Sequence, residues 1–193
     1  MKPTNNNAKC TEYQTLVREM MLESEPQRTE FDLAWIRQKE WEVVPVERAQ
    51  HFFPGEIKAI VSALAGRGYS KCIAVTTEEL GPLPACYELS ISEEDFSEFN
   101  RELGLFRCLL TDQDRSWAIS CTESYNLFAG PESLIETMLG KSVNDGWRAY
   151  WEFIAQPHMD PLGMLHQSAT RYALALGQPV EPYADHVEPP KPQ

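Results

Sequence analysis

The positions of apolar residues predict helices along much of the chain. Residues 13–21 carry an apolar side chain at every third or fourth position, which is the spacing of one helix face. Residues 52–69 show the same pattern, with Pro54 suited to a first turn and Gly66 and Gly68 suited to the helix end. Further helices are predicted over residues 92–104, 131–140, 145–155 and 161–177.

Several segments between these helices alternate in polarity, which predicts strands. Residues 71–77 and 86–91 are two such runs, and residues 106–130 contain three more, separated by polar bends. In the middle run of these three, Trp117 and Cys121 lie on one face, and the residues between them are mostly small or polar. We therefore predict a three-strand antiparallel meander with one solvated face, in which acidic residues occupy the turns.

The order of these elements predicts an α+β fold. We expect an antiparallel sheet of about five strands, packed by helices on at least one face, with additional helices at the C-terminal end. Residues 31–46 predict a short helix followed by an extended piece. The chain length suits one domain, organised as a helical and extended segment, an α+β core, C-terminal helices and a Pro-rich tail over residues 1–50, 51–140, 141–177 and 178–193.

The composition is that of a globular protein with a real core, since 42% of the 193 residues are hydrophobic. No apolar run approaches the roughly 20 residues that span a bilayer. The first residues, MKPTNNNAKCTEYQ, lack the apolar segment of a signal peptide. The expected location is the cytoplasm, and no membrane association is expected.

The charge balance favours some partners over others. The chain has 17 Lys and Arg against 29 Asp and Glu, a formal net charge of −12. This balance is unfavourable for binding nucleic acid or an anionic membrane surface, both of which need a basic footprint. It would attract a basic protein partner. The alternative is that the acidic surface only keeps the protein soluble.

The five cysteines show no Cys-x-x-Cys pair and are widely spaced. Zinc sites and disulfide frameworks usually show tighter patterns. We therefore expect buried free thiols that behave as small hydrophobic residues.

No catalytic, metal or cofactor motif is present. The chain has no phosphate-binding glycine loop in the strand-to-helix order, no G-x-S-x-G and no H-E-x-x-H. His158 and Asp160 could chelate a metal only with ligands from elsewhere in the chain. We expect no cofactor and no metal. An enzyme whose site is assembled from distant residues, using Cys121 or His158, stays an alternative.

The residues that we predict to bind a partner are acidic or aromatic. The acidic ones lie on the charged face of the helix over residues 92–104, for which Ser92 is the predicted N-cap, and in the bend over residues 111–114. The aromatic ones repeat at helical spacing, which is typical of a buried face; they would form a docking patch only if exposed. The candidates are Glu94, Asp95, Glu98, Asp112, Asp114, Trp147 and Trp151.

The stretch RSWAISCTESYNLFAGP, followed by the helix ESLIETMLG, resembles parts of small acidic bacterial proteins that neutralise toxins. The resemblance covers about residues 92–140 and identifies no individual binding residue. It implies an acidic, cytoplasmic, non-enzymatic protein that binds another protein. The leading hypothesis is therefore an immunity-like inhibitor of a basic toxin. The alternatives are the enzyme described above and a structural subunit whose Trp147 and Trp151 are covered by another copy.

Overall fold

The computed structural model describes residues 1–4, 6–22, 30–47, 52–78, 84–122, 125–156, 159 and 163–180. The helices in these ranges are α1 (Asn7–Arg18), α2 (Leu33–Gln38), α3 (Pro54–Gly66), α4 (Glu93–Leu103), α5 (Glu132–Leu139), α6 (Val143–Ile154) and α7 (Met164–Leu176). The strands are β1 (Lys2–Pro3), β2 (Glu42–Glu47), β3 (Lys71–Thr76), β4 (Cys86–Ser90), β5 (Cys108–Thr111), β6 (Ala118–Cys121) and β7 (Tyr125–Gly130).

The fold is α+β, as predicted, with one antiparallel sheet in the order β1-β4-β3-β5-β6-β7-β2. The described part of this sheet has seven strands, so the expectation of about five was wrong. The two additional strands form its edges. β1 has only two residues, too few for an alternating pattern to show. β2 contains Pro45, which an edge strand tolerates because one side of its backbone needs no partner.

The predicted meander is present as β5, β6 and β7, but the prediction that one of its faces is solvated was wrong. All residues of these three strands are buried. Thr111, Ser120 and Asn126 are polar yet buried. The Thr111 hydroxyl donates to the backbone oxygen of Trp117 at 2.6 Å. A small polar residue in a strand can thus be satisfied locally, and its polarity does not indicate solvent.

Helices cover both faces of the sheet. Phe128 of β7 contacts Phe52, which lies just before α3 and stacks on Phe99 of α4. Tyr125 lies three residues from Phe128 on the same strand and therefore points to the opposite face. There it contacts Tyr150 of α6. The core consequently occupies two layers, one on each side of the central strands.

The first helix is displaced from its predicted position. The pattern predicted a helix over residues 13–21, whereas α1 spans Asn7–Arg18 because the Asn6 side chain accepts hydrogen bonds from the first turn. Met20 and Met21 are buried beyond the helix end, and Met21 forms a β-bridge with Phe31. Pro26, the first proline after this helix, lies outside the described residues.

Helix α6 packs closely against the edge strand β2. A Cβ atom at Gly146 would come within 2.7 Å of the Val44 side chain, so this contact requires glycine. The aromatic residues of α6 face the core, as their helical spacing predicted. Helix α6 therefore covers one face of β2.

The prediction of five free thiols was wrong for two of them. Cys10 of α1 and Cys86 of β4 form a disulfide with a Cα–Cα distance of 5.6 Å, whereas Cys72, Cys108 and Cys121 are buried. The two bonded residues are 76 positions apart, so no local spacing could reveal the pair. Closing so long a loop stabilises a fold by about 2–4 kcal/mol.

Two residues just after α7, Gln178 and Pro179, contact β2 and α6. Gln178 donates to Glu42 at 3.1 Å, and the Trp151 indole donates to the backbone oxygen of Pro179 at 3.1 Å. These contacts hold the first residues of the predicted tail against α6 and β2. The rest of that tail, residues 181–193, lies outside the described residues.

Candidate functional site

Helix α4 presents two exposed carboxylates in its first turn. Ser92 caps the helix, as predicted, by accepting from the backbone N–H of Asp95 at 3.2 Å. The inner face of α4 is buried through Phe96, Phe99 and Leu103. Glu93 and Glu94 are exposed, and within the described residues neither carboxylate has a hydrogen-bond or ion-pair partner. A rigid helix therefore displays two unpaired negative charges.

The other two predicted acids of α4 are held within the chain. The amino group of Met1 bonds to Asp95 and to Glu98, the latter at 2.6 Å, and the backbone N–H of Ser90 donates to Asp95 at 2.6 Å. Partial burial acts to raise the pKa of Asp95, but the bonds from Met1 and Ser90 outweigh it and hold the pKa below its usual range. Asp95 thus joins α4 to β1 and β4, and Glu94 is the exposed member of the predicted group.

Replacing Asp95 by asparagine is expected to lower the free energy of unfolding at pH 7 by about 1–2 kcal/mol, because charge-assisted hydrogen bonds are lost. A carboxylate with a lowered folded-state pKa stabilises the fold above its unfolded pKa of about 3.9, and this contribution disappears as the pH falls through the folded-state value. The difference from wild type should therefore shrink below about pH 4. Urea unfolding across pH measures it.

The matched control for this prediction is Glu94→Gln, since Glu94 is exposed and unpaired in the described structure. We expect it to change the unfolding free energy by less than about 0.5 kcal/mol. Equal effects of the two substitutions at pH 7 would contradict the structural role of Asp95.

Beside α4 lies an open apolar groove of about 470 Å³, here called the α3–α4 groove. Its lining includes Phe52, Phe53, Pro54, Ile57, Ser97 and Arg101. Phe53 is 53% exposed. Phe53 is not among the residues predicted from the sequence. Two adjacent phenylalanines before a helix-starting proline were a signal for it, because neighbouring residues point in different directions and both rarely face one core.

The two acids of the bend after β5 have different environments. Asp112 is buried and accepts from the backbone N–H and the hydroxyl of Ser116, at 2.6 and 2.9 Å. Gln113 donates to the Tyr13 hydroxyl at 3.2 Å, which attaches the bend to α1. Asp114 is exposed. Asp112 therefore shapes the bend, and Asp114 is the acid available at its surface.

The two predicted aromatic residues lie in the core. Trp147 is 1% exposed and Trp151 is 4% exposed, with their ring centroids 5.8 Å apart. Both side chains lie on the buried face of α6 and do not form an exposed patch. The docking patch and the covered subunit interface both required exposure of these side chains, so neither hypothesis can rest on them.

A buried polar cluster that the sequence analysis missed surrounds Glu30. Its carboxylate accepts from the Tyr125 hydroxyl, from the Ser168 hydroxyl at 2.7 Å and from the Arg171 guanidinium at 2.7 Å. The Tyr172 hydroxyl accepts from the backbone N–H next to Glu30, that of Phe31, at 2.6 Å. No signal in the sequence marks this cluster, because its members lie far apart along the chain.

The tyrosines of this cluster are held as neutral donors. Burial, reinforced by the Glu30 carboxylate, raises the pKa of Tyr125 and of Tyr172 above the ordinary tyrosine value. The cluster joins residues 30–31, β7 and α7. Its arrangement is that of a structural tie among three parts of the fold.

The residues considered for catalysis are not brought together where the structure describes them. Cys121 is buried opposite Cys108 on the neighbouring strand. Burial raises the pKa of Cys72, so this thiol stays protonated. His158 and Asp160 lie outside the described residues. In the described ranges, no group of three His, Cys, Asp or Glu side chains could hold a metal ion.

Comparison with known proteins found no relative of this chain. Of the helices that the structure describes, none has both the length and the apolar character needed to cross a membrane. The chain matches no protein-family model, no curated protein and no solved structure.

Proposed function

We propose that this chain is a non-enzymatic protein-binding module whose acidic surface recognises a basic protein partner. The observation that carries the proposal is the pair of exposed carboxylates of Glu93 and Glu94, presented by a helix that is fixed to the core. Neither carboxylate has a hydrogen-bond or ion-pair partner among the residues that the structure describes. The net charge of −12 extends the attraction beyond this helix. Asp114 is a further exposed acid from the predicted group.

An alternative role for these carboxylates is to stabilise the helix dipole, which is worth about 0.3–1 kcal/mol per charge. Asp95 already supplies a negative charge in the same turn and is bonded to the chain. Recognition of a basic partner is the role that we favour for the carboxylates of Glu93 and Glu94, which are unpaired in the part of the chain that the structure describes. Complementary charge accelerates encounter and excludes like-charged competitors. Nucleic acid would be repelled by the same surface.

The specific form of the proposal is an immunity-like inhibitor of a basic toxin in a bacterial cell. The acidic charge, the α+β fold and the resemblance over residues 92–140 support it. The proposed location is the cytoplasm. Disulfides are rare in that compartment, so the Cys10–Cys86 bond makes the thiol state of the protein from its native cells the measurement that decides between the cytoplasm and an oxidising compartment.

The experiment uses basic proteins encoded beside this chain, purified and immobilised for surface plasmon resonance at rising salt. The double substitution Glu93→Gln with Glu94→Gln is expected to slow association severalfold and to weaken its salt dependence, because rim charges act mainly on the association rate. The matched control is Glu12→Gln with Glu152→Gln, which removes two exposed carboxylates from α1 and α6. This control should leave association nearly unchanged.

Three binding results would count against the proposal. The bound partner could be acidic, its association could be indifferent to salt, or the control substitutions could slow it as much as the α4 substitutions. Catalytic turnover of the partner by the purified chain would exclude the non-enzymatic role.

A further inference from the structure

We propose that the α3–α4 groove binds an apolar side chain from an extended segment of the protein partner, and that this segment carries Lys or Arg beside the apolar residue. The inference rests on the proposed function and adds the chemistry of the partner. It names an apolar anchor beside the charges that attract the partner.

The groove offers an apolar surface that the described residues leave uncovered. Phe53 is 53% exposed, and Phe52, Pro54 and Ile57 line the groove beside it. The volume of about 470 Å³ lies within the roughly 300–1,000 Å³ of ligand pockets. Because the groove is open, it suits a side chain carried by a longer segment better than a small molecule that must be largely enclosed.

The groove is also held in shape before anything binds. The Asn100 side chain accepts from the backbone N–H of Phe52 at 3.1 Å and donates to its backbone oxygen at 2.7 Å. The Glu56 carboxylate accepts from the backbone N–H of Phe53 at 2.7 Å. These bonds fix the backbone that carries the exposed ring. Little conformational entropy is then lost on binding, which favours affinity.

The charge at the rim selects the flanking residues of the occupant. Glu93 lines the groove, and Glu94 follows it on α4. Arg101 also lines the groove, but its guanidinium pairs with Glu102 at 3.0 Å and with Glu98 at 3.7 Å. The cation is therefore balanced within the helix. Among the residues that the structure describes, the unpaired charge on the groove lining is that of Glu93, and it is negative. Lys or Arg beside the apolar anchor complements it.

The test titrates the full chain with three synthetic peptides, each acetylated and amidated. GKKFLKKG is basic with an apolar centre, GKKSSKKG is basic only, and GEEFLEEG is acidic with the same apolar centre. Two-dimensional ¹⁵N NMR follows the amides of Phe53, Ile57 and Ser97. We expect the first peptide to shift these signals and to bind at least about tenfold more tightly than either of the others.

The substitution that tests the anchor is Phe53→Ser, which should weaken binding of GKKFLKKG at least about tenfold. Its matched control is Leu105→Ser, since Leu105 is 64% exposed and lies just beyond α4, apart from the groove lining. The control should change the affinity less than about twofold. Because both side chains are exposed, both variants should fold, which thermal unfolding verifies.

The outcomes separate this inference from the proposed function. If GKKSSKKG binds at Glu93 and Glu94 as tightly as GKKFLKKG, the groove inference fails while recognition of basic partners stands. If GEEFLEEG binds as tightly as GKKFLKKG, charge does not select the occupant of the groove. The groove inference and the proposed recognition of basic partners then both fail. Absence of shifts at the groove amides with GKKFLKKG also overturns the inference.

Discussion

Replacing Glu30 by alanine is expected to lower the free energy of unfolding by about 3 kcal/mol. The substitution leaves the Arg171 guanidinium without its counter-charge and removes the acceptor for the Tyr125 and Ser168 hydroxyls. This expected loss lies at the lower end of the range for breaking a buried ion pair. The reason is that the Arg171 side chain is 34% exposed, so water replaces part of the lost interaction. Equilibrium unfolding in urea at pH 7 measures the change.

Two substitutions serve as controls for Glu30. Glu30→Gln keeps the shape and part of the hydrogen bonding, and its expected cost is about 1–2 kcal/mol. Glu102→Gln breaks the exposed ion pair with Arg101 and should cost less than about 1 kcal/mol. A Glu30→Ala protein no less stable than Glu102→Gln would show that the cluster is not a structural tie.

Replacing Trp147 by alanine is expected to lower the free energy of unfolding by about 3–5 kcal/mol, because the ring is fully buried and its loss leaves a cavity. A globular domain is stabilised by only about 5–15 kcal/mol, so a large part of the total would be lost. Partner binding, measured where the variant is still folded, should be unchanged. Urea unfolding measures the change in stability, and surface plasmon resonance measures partner binding.

The control for Trp147 is Arg148→Ala, the next residue of α6, whose exposed side chain pairs with Asp145 at 2.8 Å. This substitution should cost less than about 1 kcal/mol. The opposite pattern, in which Trp147→Ala leaves stability unchanged but abolishes partner binding, would return Trp147 to the binding surface and contradict its place in the core.

The candidate site could be predicted only in part. The amphipathic pattern of residues 92–104 puts Phe96 and Phe99 on one face of the helix and Glu94 on another, and the structure buries the two rings and exposes Glu94. It could not show that Asp95 is bonded by Met1 and Ser90, since those partners come from two other strands or strand ends. Side-chain periodicity indicates which helix face a residue occupies. It does not indicate which distant residues contact that face.

Phe53 illustrates the same limit for the apolar part of the site. Its neighbours in sequence predict the start of a helix, which α3 confirms. The exposure of its ring follows from the position of α4, which forms the other wall of the groove. The α3–α4 groove exists only because two helices separated by β3 and β4 pack side by side on one face of the sheet.

The sequence by itself determined the α+β class, most helices, the β5–β7 meander and the inward-facing aromatic residues of α6, because these depend on spacings of two or of three to four residues along the chain. Only the tertiary structure decided the edge strands, the helices on both faces of the sheet, the Cys10–Cys86 bond and the Glu30 cluster. Their partners lie 76 residues apart for the disulfide and 141 for Glu30 and Arg171. Contacts at such separations depend on how the whole chain folds, and local periodicity does not predict this.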